Sequence, residues 1–281
     1  MSRTARRRVL RISVADSSGA PRSDAAHRPD VLAVEEPLEI RVGGQPLTVT
    51  MRTPGDDIDL AAGFLFTEGI VGAASDIAEI SKCDDNVADA RLRPGVVVDA
   101  QRLRRNFLTT SACGICGKES IDSVRTRACF DVTSDEVGVD AAALAHLPER
   151  LRAAQRVFER TGGLHAAGVF ASDGRLLALR EDVGRHNAVD KVIGWAVLGN
   201  RLPLAGSTLL VSGRASFELA QKALMAGIPV LAAVSAPSSL AVELADEAGM
   251  TLVGFLRGSA MNVYTGAHRM RVAGEPAGAL R

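Results

Sequence analysis

The chain has 281 residues, with 33 basic and 33 acidic side chains, so its formal net charge is zero. A protein that lives on nucleic acid usually carries a basic excess, and the balance argues against that role. Hydrophobic residues make up 47% and aromatics only 4%, which gives a largely aliphatic core and a length for one large domain or one plus a smaller one.

Four cysteines in a chain this long do not make a disulfide scaffold. No apolar run reaches 18 residues, so no transmembrane helix and no membrane partner are expected. Only four of the basic residues are Lys. The Arg fork suits phosphate, although genome composition explains the bias as readily.

Residues 1–30 hold Arg3, Arg6, Arg7, Arg8 and Arg11 but no apolar segment of a secretory signal. They read as a disordered Arg-rich tail, and a cytoplasmic location follows as the default. An N-terminal, β-containing subdomain is expected over 31–135. Within it, Leu38–Val42 and Pro46–Met51 flank Gly43-Gly44 as a hairpin. The turn Thr53-Pro54-Gly55-Asp56-Asp57 feeds a helix with Leu60, Phe64 and Leu65 on its apolar face, ended by Gly69. Residues 80–106 read as one or two strands, and 108–120 as a mobile Gly-rich loop.

An α/β core is expected over 136–270. Leu144, Leu147, Leu151, Ala154 and Phe158 mark one amphipathic helix closed by Gly162-Gly163. A hairpin follows, Leu164–Ala171 and Arg175–Arg180 about an Asp173-Gly174 turn. The run Glu181–Asn187 opens a helix facing inward through Val189, Val192, Ile193 and Ala196. Then strand, helix, strand, helix and strand alternate over 207–211, 217–225, 228–234, 240–248 and 251–255, the pattern of a parallel sheet. Ligands of such sheets sit beyond the carboxyl ends of the strands. That rule singles out Ser212-Gly213-Arg214, Ser235-Ala236-Pro237 and Arg257-Gly258-Ser259 as places for a phosphate. Beyond Thr265 the chain reads as fraying, with a frayed tail over 271–281.

The sharpest local feature is Cys113-Gly114-Ile115-Cys116-Gly117-Lys118. Sulfur chemistry needs a thiolate, exposure and room to move; the glycines supply room, and a nearby lysine favours the thiolate. Three readings stay open on the residues alone. A structural zinc site would need Cys83 and Cys129 as further ligands, though neither belongs to a second Cys-x-x-Cys. A thioredoxin-like pair would follow a strand and open a helix, whereas the surroundings here read as loop. A persulfide carrier fits a mobile arm that visits a donor and then an acceptor.

His165 and His186 are candidate proton-handling groups, although an isolated histidine is more often a structural one. Asp182, Arg185, His186 and Asn187 fall together at a helix start. A zinc nucleoside deaminase would carry His-x-Glu followed by Pro-Cys-x-x-Cys; here Ala166-Ala167 follows His165 and the cysteine pair comes earlier.

Nine segments together resemble the formate dehydrogenase accessory sulfurtransferase family. They are Glu35–Leu38, Met51–Asp57, Ser111–Gly117, Thr161–Ala167, Arg180–Ala188, Val211–Glu218, Ser235–Pro237, Gly254–Gly258 and Met261–Thr265. The resemblance spans about residues 31 to 265. It implies a sulfurtransferase that accepts persulfide sulfur from a cysteine desulfurase and sulfurates the molybdenum of the bis(molybdopterin guanine dinucleotide) cofactor, which then serves formate dehydrogenase.

It also implies an α/β fold with a cytidine-deaminase-like three-layer core without the zinc, and a homodimer. Carried over residue by residue, Cys113 matches the persulfide cysteine and Cys116 its partner. Phe255, Leu256, Arg257, Gly258, Ser259 and Ala260 match a cofactor-binding stretch. Ser212, Gly213 and Arg214 are added as phosphate or guanine contacts. Two other classes remain: a non-catalytic chaperone of the cofactor, which tolerates loss of both thiols, and a zinc-stabilised binding module, which holds stoichiometric metal.

Overall fold

A computed structural model describes residues 2–15, 22–96 and 130–274. The chain opens with a long antiparallel hairpin of β1 (Thr4–Ala15) and β2 (Arg22–Ala33). This corrects the expected disordered tail. Leu10, Ile12 and Val14 alternate with Arg11 and Ser13, a strand period that the arginine count conceals. The base of the hairpin is tied to the body by Arg3, whose guanidinium donates to Asp56 at 2.6 Å and whose carbonyl accepts from Val34 N at 3.0 Å.

Strands β3 (Glu36–Val42) and β4 (Gln45–Arg52) form the expected hairpin about Gly43-Gly44, both in left-handed backbone that glycine adopts freely. After helix α1 (Asp57–Thr67) come β5 (Ile77–Asp84) and β6 (Val87–Leu92), which complete a sheet of order β4-β3-β6-β5. Leu38, Ile40 and Ala88 of this sheet pack on Leu60 and Ala61 of α1.

The next segment holds a short β7 (Val139–Asp140) and three helices, α2 (Ala141–Ala145), α3 (Leu147–Ala154) and α4 (Arg156–Thr161). One continuous helix was expected here. Two physical causes divide it. Pro148 in the first turn of α3 lacks the N–H that would continue α2. Buried Glu181 then accepts from Val157 N at 3.0 Å and Phe158 N at 2.8 Å, starting a new helix after Gln155.

The core sheet follows: β8 (His165–Ala171), β9 (Leu176–Asp182), helix α5 (Arg185–Leu198), β10 (Ser207–Val211), α6 (Phe217–Met225), β11 (Val230–Ala233), α7 (Ser239–Glu247), β12 (Thr251–Arg257) and β13 (Ala260–Thr265). The order is β13-β12-β11-β10-β8-β9. Strands β10, β11 and β12 are parallel as expected, while β8, β9 and β13 are antiparallel additions that make the sheet mixed.

Alternate residues of each strand face opposite layers. Leu209, Val211, Leu231, Ala233 and Leu252 pack with α1, α5, α6 and α7; Leu210, Val230, Ala232 and Val253 pack with α2 and α3. The segment after Thr265 is not frayed at its start. Strand β14 (Met270–Arg271) pairs in parallel with β7, and Arg269, 3% exposed, donates to the carbonyls of Val132, Asp135 and Gly249.

Candidate functional site

The three parallel strands end together, and backbone bonds weld the loops beyond them. Val234 N donates to Val211 O at 3.1 Å, Ser235 N to Gly213 O at 3.2 Å, and Phe255 N to Ser235 O at 3.1 Å. Arg257 Nε donates to Val234 O at 2.8 Å. The structure therefore sets Ser212-Gly213, Ser235 and Phe255–Arg257 side by side in one crevice, although some 40 residues of chain separate the first from the last.

The side chains of the segments singled out from the sequence divide by burial. Phe255, Arg257, Gly258 and Arg214 are exposed, as are Ser259 and Ala260, which line a separate pocket with Ala141, Met261 and Met270. Leu256 is fully buried in the layer under α2 and α3, so only its backbone faces the crevice. Phe255 holds φ +50, a conformation a bulky residue adopts only when its surroundings impose it. A register shift between Gly254 and Arg257 accompanies it. Gly254 lets the strands close here: a β-carbon would come within 2.8 Å of Pro237 and 2.9 Å of the Tyr264 ring. Exposed Tyr264 and Val263 lie on the neighbouring β13.

His165 enters the crevice from β8. Ser212 N donates to Ala166 O at 3.0 Å, and Ala166 N donates to Ser212 Oγ at 2.9 Å. A β-carbon on Gly213 would lie 3.4 Å from the His165 ring. Burial, then the positive charges of Arg185 and His186, push the His165 pKa down, so its imidazole is neutral at pH 7. Arg185, at the first turn of α5, has a buried Nε without a hydrogen-bond partner among the described residues. Alongside, His186 Nε2 lies 3.4 Å from Ser216 Oγ and 3.5 Å from Glu218 Oε2. The His186 contact brings the Glu218 pKa down to about 2.

The segments Met51–Asp57 and Arg180–Ala188 have a positioning role that sequence reading did not separate from a catalytic one. Asp182, fully buried, accepts from Thr53 N at 3.1 Å, Gly184 N at 2.8 Å and Asn187 Nδ2 at 3.1 Å, and lies 2.7 Å from Lys191 Nζ. Lys191 also donates to Thr53 O at 2.8 Å. One buried carboxylate thus ties the turn before α1 to the start of α5. A second buried centre joins Lys222 to Asp190 at 2.8 Å and to Thr67 at 2.8 Å. Burial works against the Lys222 ammonium, but the Asp190 and Glu68 carboxylates outweigh it and hold its pKa above the usual lysine value.

Cys113 and Cys116 lie outside the described residues, as does the whole 108–120 loop and Cys129. Cys83, on β5, is exposed. Among the described residues no group of three or more His, Cys, Asp or Glu is poised to hold a metal ion. No helix among them is long and apolar enough to cross a membrane. Sequence reasoning missed one feature altogether, a cavity of about 550 Å³ between α3, α4 and the start of β8. Gly162 and Gly163 signalled only a helix end, and nothing local shows that Gln155 and Phe158 face Ser212 across space.

Comparison with known proteins gives a consistent result. The model of the FdhD/NarQ family matches residues 33–271. A protein named sulfur carrier protein FdhD from Streptomyces avermitilis is 58% identical over 277 residues, which cover 95% of each chain. One of the same name from Mycolicibacterium paratuberculosis is 56% identical over 279 residues, 96% of this chain and 100% of that one. A crystal structure from Desulfotalea psychrophila, provisionally described as a formate dehydrogenase accessory protein, superposes with a TM-score of 0.70 at 26% identity. It covers 94% of this chain and 99% of that one. The family match takes in the small sheet, the cysteine loop and the whole core sheet, and on that span the chain belongs to the FdhD/NarQ family.

Proposed function

We propose that this protein is a sulfur carrier and sulfurtransferase that readies the molybdenum cofactor for formate dehydrogenase. The observation that carries the reading is the 58% identity, over 95% of both chains, to a protein named as a sulfur carrier. The cysteine pair, the aligned crevice segments and the family match support it. The relative from Desulfotalea psychrophila, described as a formate dehydrogenase accessory protein, supports the acceptor.

The carrier step begins when the Cys113 thiolate attacks the outer sulfur of a persulfide on a cysteine desulfurase. The desulfurase cysteine leaves as a thiolate, and Cys113 holds the sulfur with no net change in oxidation state. For delivery, the Cys116 thiolate attacks Cys113 Sγ. A Cys113–Cys116 disulfide forms, the outer sulfur leaves as hydrosulfide, and a cellular dithiol later reduces the disulfide. The acceptor is the molybdenum of bis(molybdopterin guanine dinucleotide), a substrate of the transfer.

The crevice suits that substrate chemically. Arg214 and Arg257 are exposed cations for diphosphate, and the Phe255 and Tyr264 rings are exposed apolar faces. We further read the protein as a cytoplasmic homodimer whose core is of the cytidine-deaminase type without its zinc.

The test is an intact mass after incubation with an active cysteine desulfurase and cysteine, under non-reducing conditions. We expect the mass of one sulfur to be gained on Cys113 and to be absent from Cys113→Ala. We expect Cys113→Ala to abolish activation of formate dehydrogenase and Cys116→Ala to weaken it less. Full activation by Cys113→Ala would leave a cofactor chaperone in place of a carrier.

A further inference from the structure

The hairpin of β1 and β2 has no part in sulfur transfer as proposed above, and nearly all of it precedes residue 33, where the family match begins. Its strands pair from Thr4 with Ala33 to Ala15 with Arg22, a length of about 40 Å at the strand rise. A two-stranded ribbon with no packed face is marginal in water, so a covering surface would stabilise it.

The two faces differ. Residues paired directly across an antiparallel ribbon share a face. One face holds Arg6, Arg8, Leu10, Ile12 and Val14, with His27 opposite Leu10. All three aliphatic side chains are more than half exposed. The acids of the described strands, Asp24 and Asp30, fall on the other face, opposite Ser13 and Arg7. From base to tip the first face therefore carries two cations and then an aliphatic row, with no described carboxylate. Arg7 and Arg28 join Arg6, Arg8 and His27 around a hollow of about 320 Å³. None of these arginines makes an ion pair among the described residues.

Three kinds of surface attract cations, and the aliphatic row separates them. Nucleic acid meets proteins mostly through phosphate and sugar, which would leave the row uncovered. Bilayer interfaces are anchored by Trp and Tyr, and residues 1–33 contain neither. A protein interface combines an apolar centre with a polar rim, and this face has both.

The base of the hairpin indicates which protein. Arg3 is bonded to Asp56, Arg160 of α4 donates to Thr4 Oγ1 at 3.4 Å, and a β-carbon on Gly163 would lie 3.6 Å from Ala33 Cβ. Gly163 also lines the cavity beside the crevice. The hairpin thus springs from the rim of the site in which the proposed function places the cofactor, and a protein held by it is brought to that rim.

We propose that the N-terminal hairpin is a docking arm for formate dehydrogenase, taking a face of that enzyme on which carboxylates border an aliphatic hollow. The naming of the enzyme rests on the function proposed above; the arm and the chemistry of the face it takes do not.

The full-length protein is immobilised and titrated with cofactor-free formate dehydrogenase of the same organism. Wild type is expected to bind, and more weakly as salt rises, because exposed charges are screened. Arg6→Glu with Arg8→Glu, and separately Leu10→Ser with Ile12→Ser, are each expected to lose about tenfold or more in affinity. A photoreactive residue in place of Ile12 is expected to crosslink to the dehydrogenase, and one in place of exposed Leu198, at the end of α5, is not. The crosslink reports contact even where a paired variant unfolds the hairpin.

Unchanged affinity in either paired variant, or no crosslink from position 12, would overturn the proposal. So would variants that keep the dehydrogenase but lose binding to anionic vesicles, to duplex DNA or to a second copy of the chain, since the arm would then have that occupant. Sulfur loading of Cys113 by the desulfurase separates the two readings. Loading of wild type without binding of the dehydrogenase sinks the arm and keeps the carrier; binding through the hairpin without loading does the reverse.

Discussion

Single residues in the crevice carry burdens that local sequence does not display. His165 follows Gly162-Gly163-Leu164 at the edge of a strand, and nothing nearby in sequence lowers its pKa. Burial against Gly213 and the charges of Arg185 and His186 do so. The linkage sign follows. The unfolded histidine takes up a proton as pH falls through about 6.5, while the folded one resists until lower pH. The residue therefore costs stability as pH drops below 6.5 and costs none well above it. We expect His165→Asn to flatten the fall in denaturation midpoint between pH 7 and pH 5; a slope as steep as in wild type would place the acid lability elsewhere. Phe255 is a second case: its aromatic type is plain in the sequence, but its left-handed backbone, with its N–H donating to Ser235 O across the crevice, is not.

At the scale of elements, close helix packing places the site. Helix α1 lies on α5 with Gly63 facing Asp190 and Gly194 facing Asp59; a β-carbon on either glycine would overlap the opposing backbone carbonyl. That approach lets α1 serve two cores at once, one with the small sheet and one with the main sheet. We expect Gly194→Ala to lower stability by about 3 kcal/mol, the upper end for overpacking, since backbone rather than a flexible side chain stands in the way. A chemical denaturation curve checks this, and a change below about 1 kcal/mol would mean the helices part freely.

The apolar periodicity of both helices was legible in the sequence, as were β10, β11, β12 and the helices between them, because their local pattern and their burial agree. The division of 141–161 into three helices was not. Its apolar spacing fits one helix; Pro148 makes the first break, and the second comes from Glu181, some 25 residues away.

Across the whole molecule, buried ion pairs join the two halves. Asp182 and Lys191 are 0% and 1% exposed, and their bonds to Thr53 connect the end of the small sheet to the helix that carries Arg185 and His186. Removal of one partner leaves an uncompensated charge in the interior, so Asp182→Ala is expected to cost about 3–5 kcal/mol. Asp182→Asn with Lys191→Met together should cost less, as no charge remains. A double-mutant denaturation series checks the difference, and additive losses would contradict the coupling.

The N-terminal hairpin stands apart from this network. Leu10, Ile12 and Val14 are 54%, 60% and 73% exposed, and its described ties to the body lie at its base. Its arginines dominate the composition of the first 30 residues, which is why composition suggested disorder where alternation of side chains specifies strands.

The α/β class, the parallel run of β10 to β12, the crevice loops beyond those strands and the cysteine pair are all legible in the order of residues. Each is written in local periodicity, in Gly-rich turns or in the chemistry of adjacent residues. Packing in space brings Ser212, His165 and Phe255 to one crevice, turns Leu256 inward, pairs Asp182 with Lys191 in the interior and sets Gln155 in the wall of a cavity. Those outcomes depend on which distant backbone groups a side chain meets, and hydrogen bonds, burial and desolvation are set by neighbours in space.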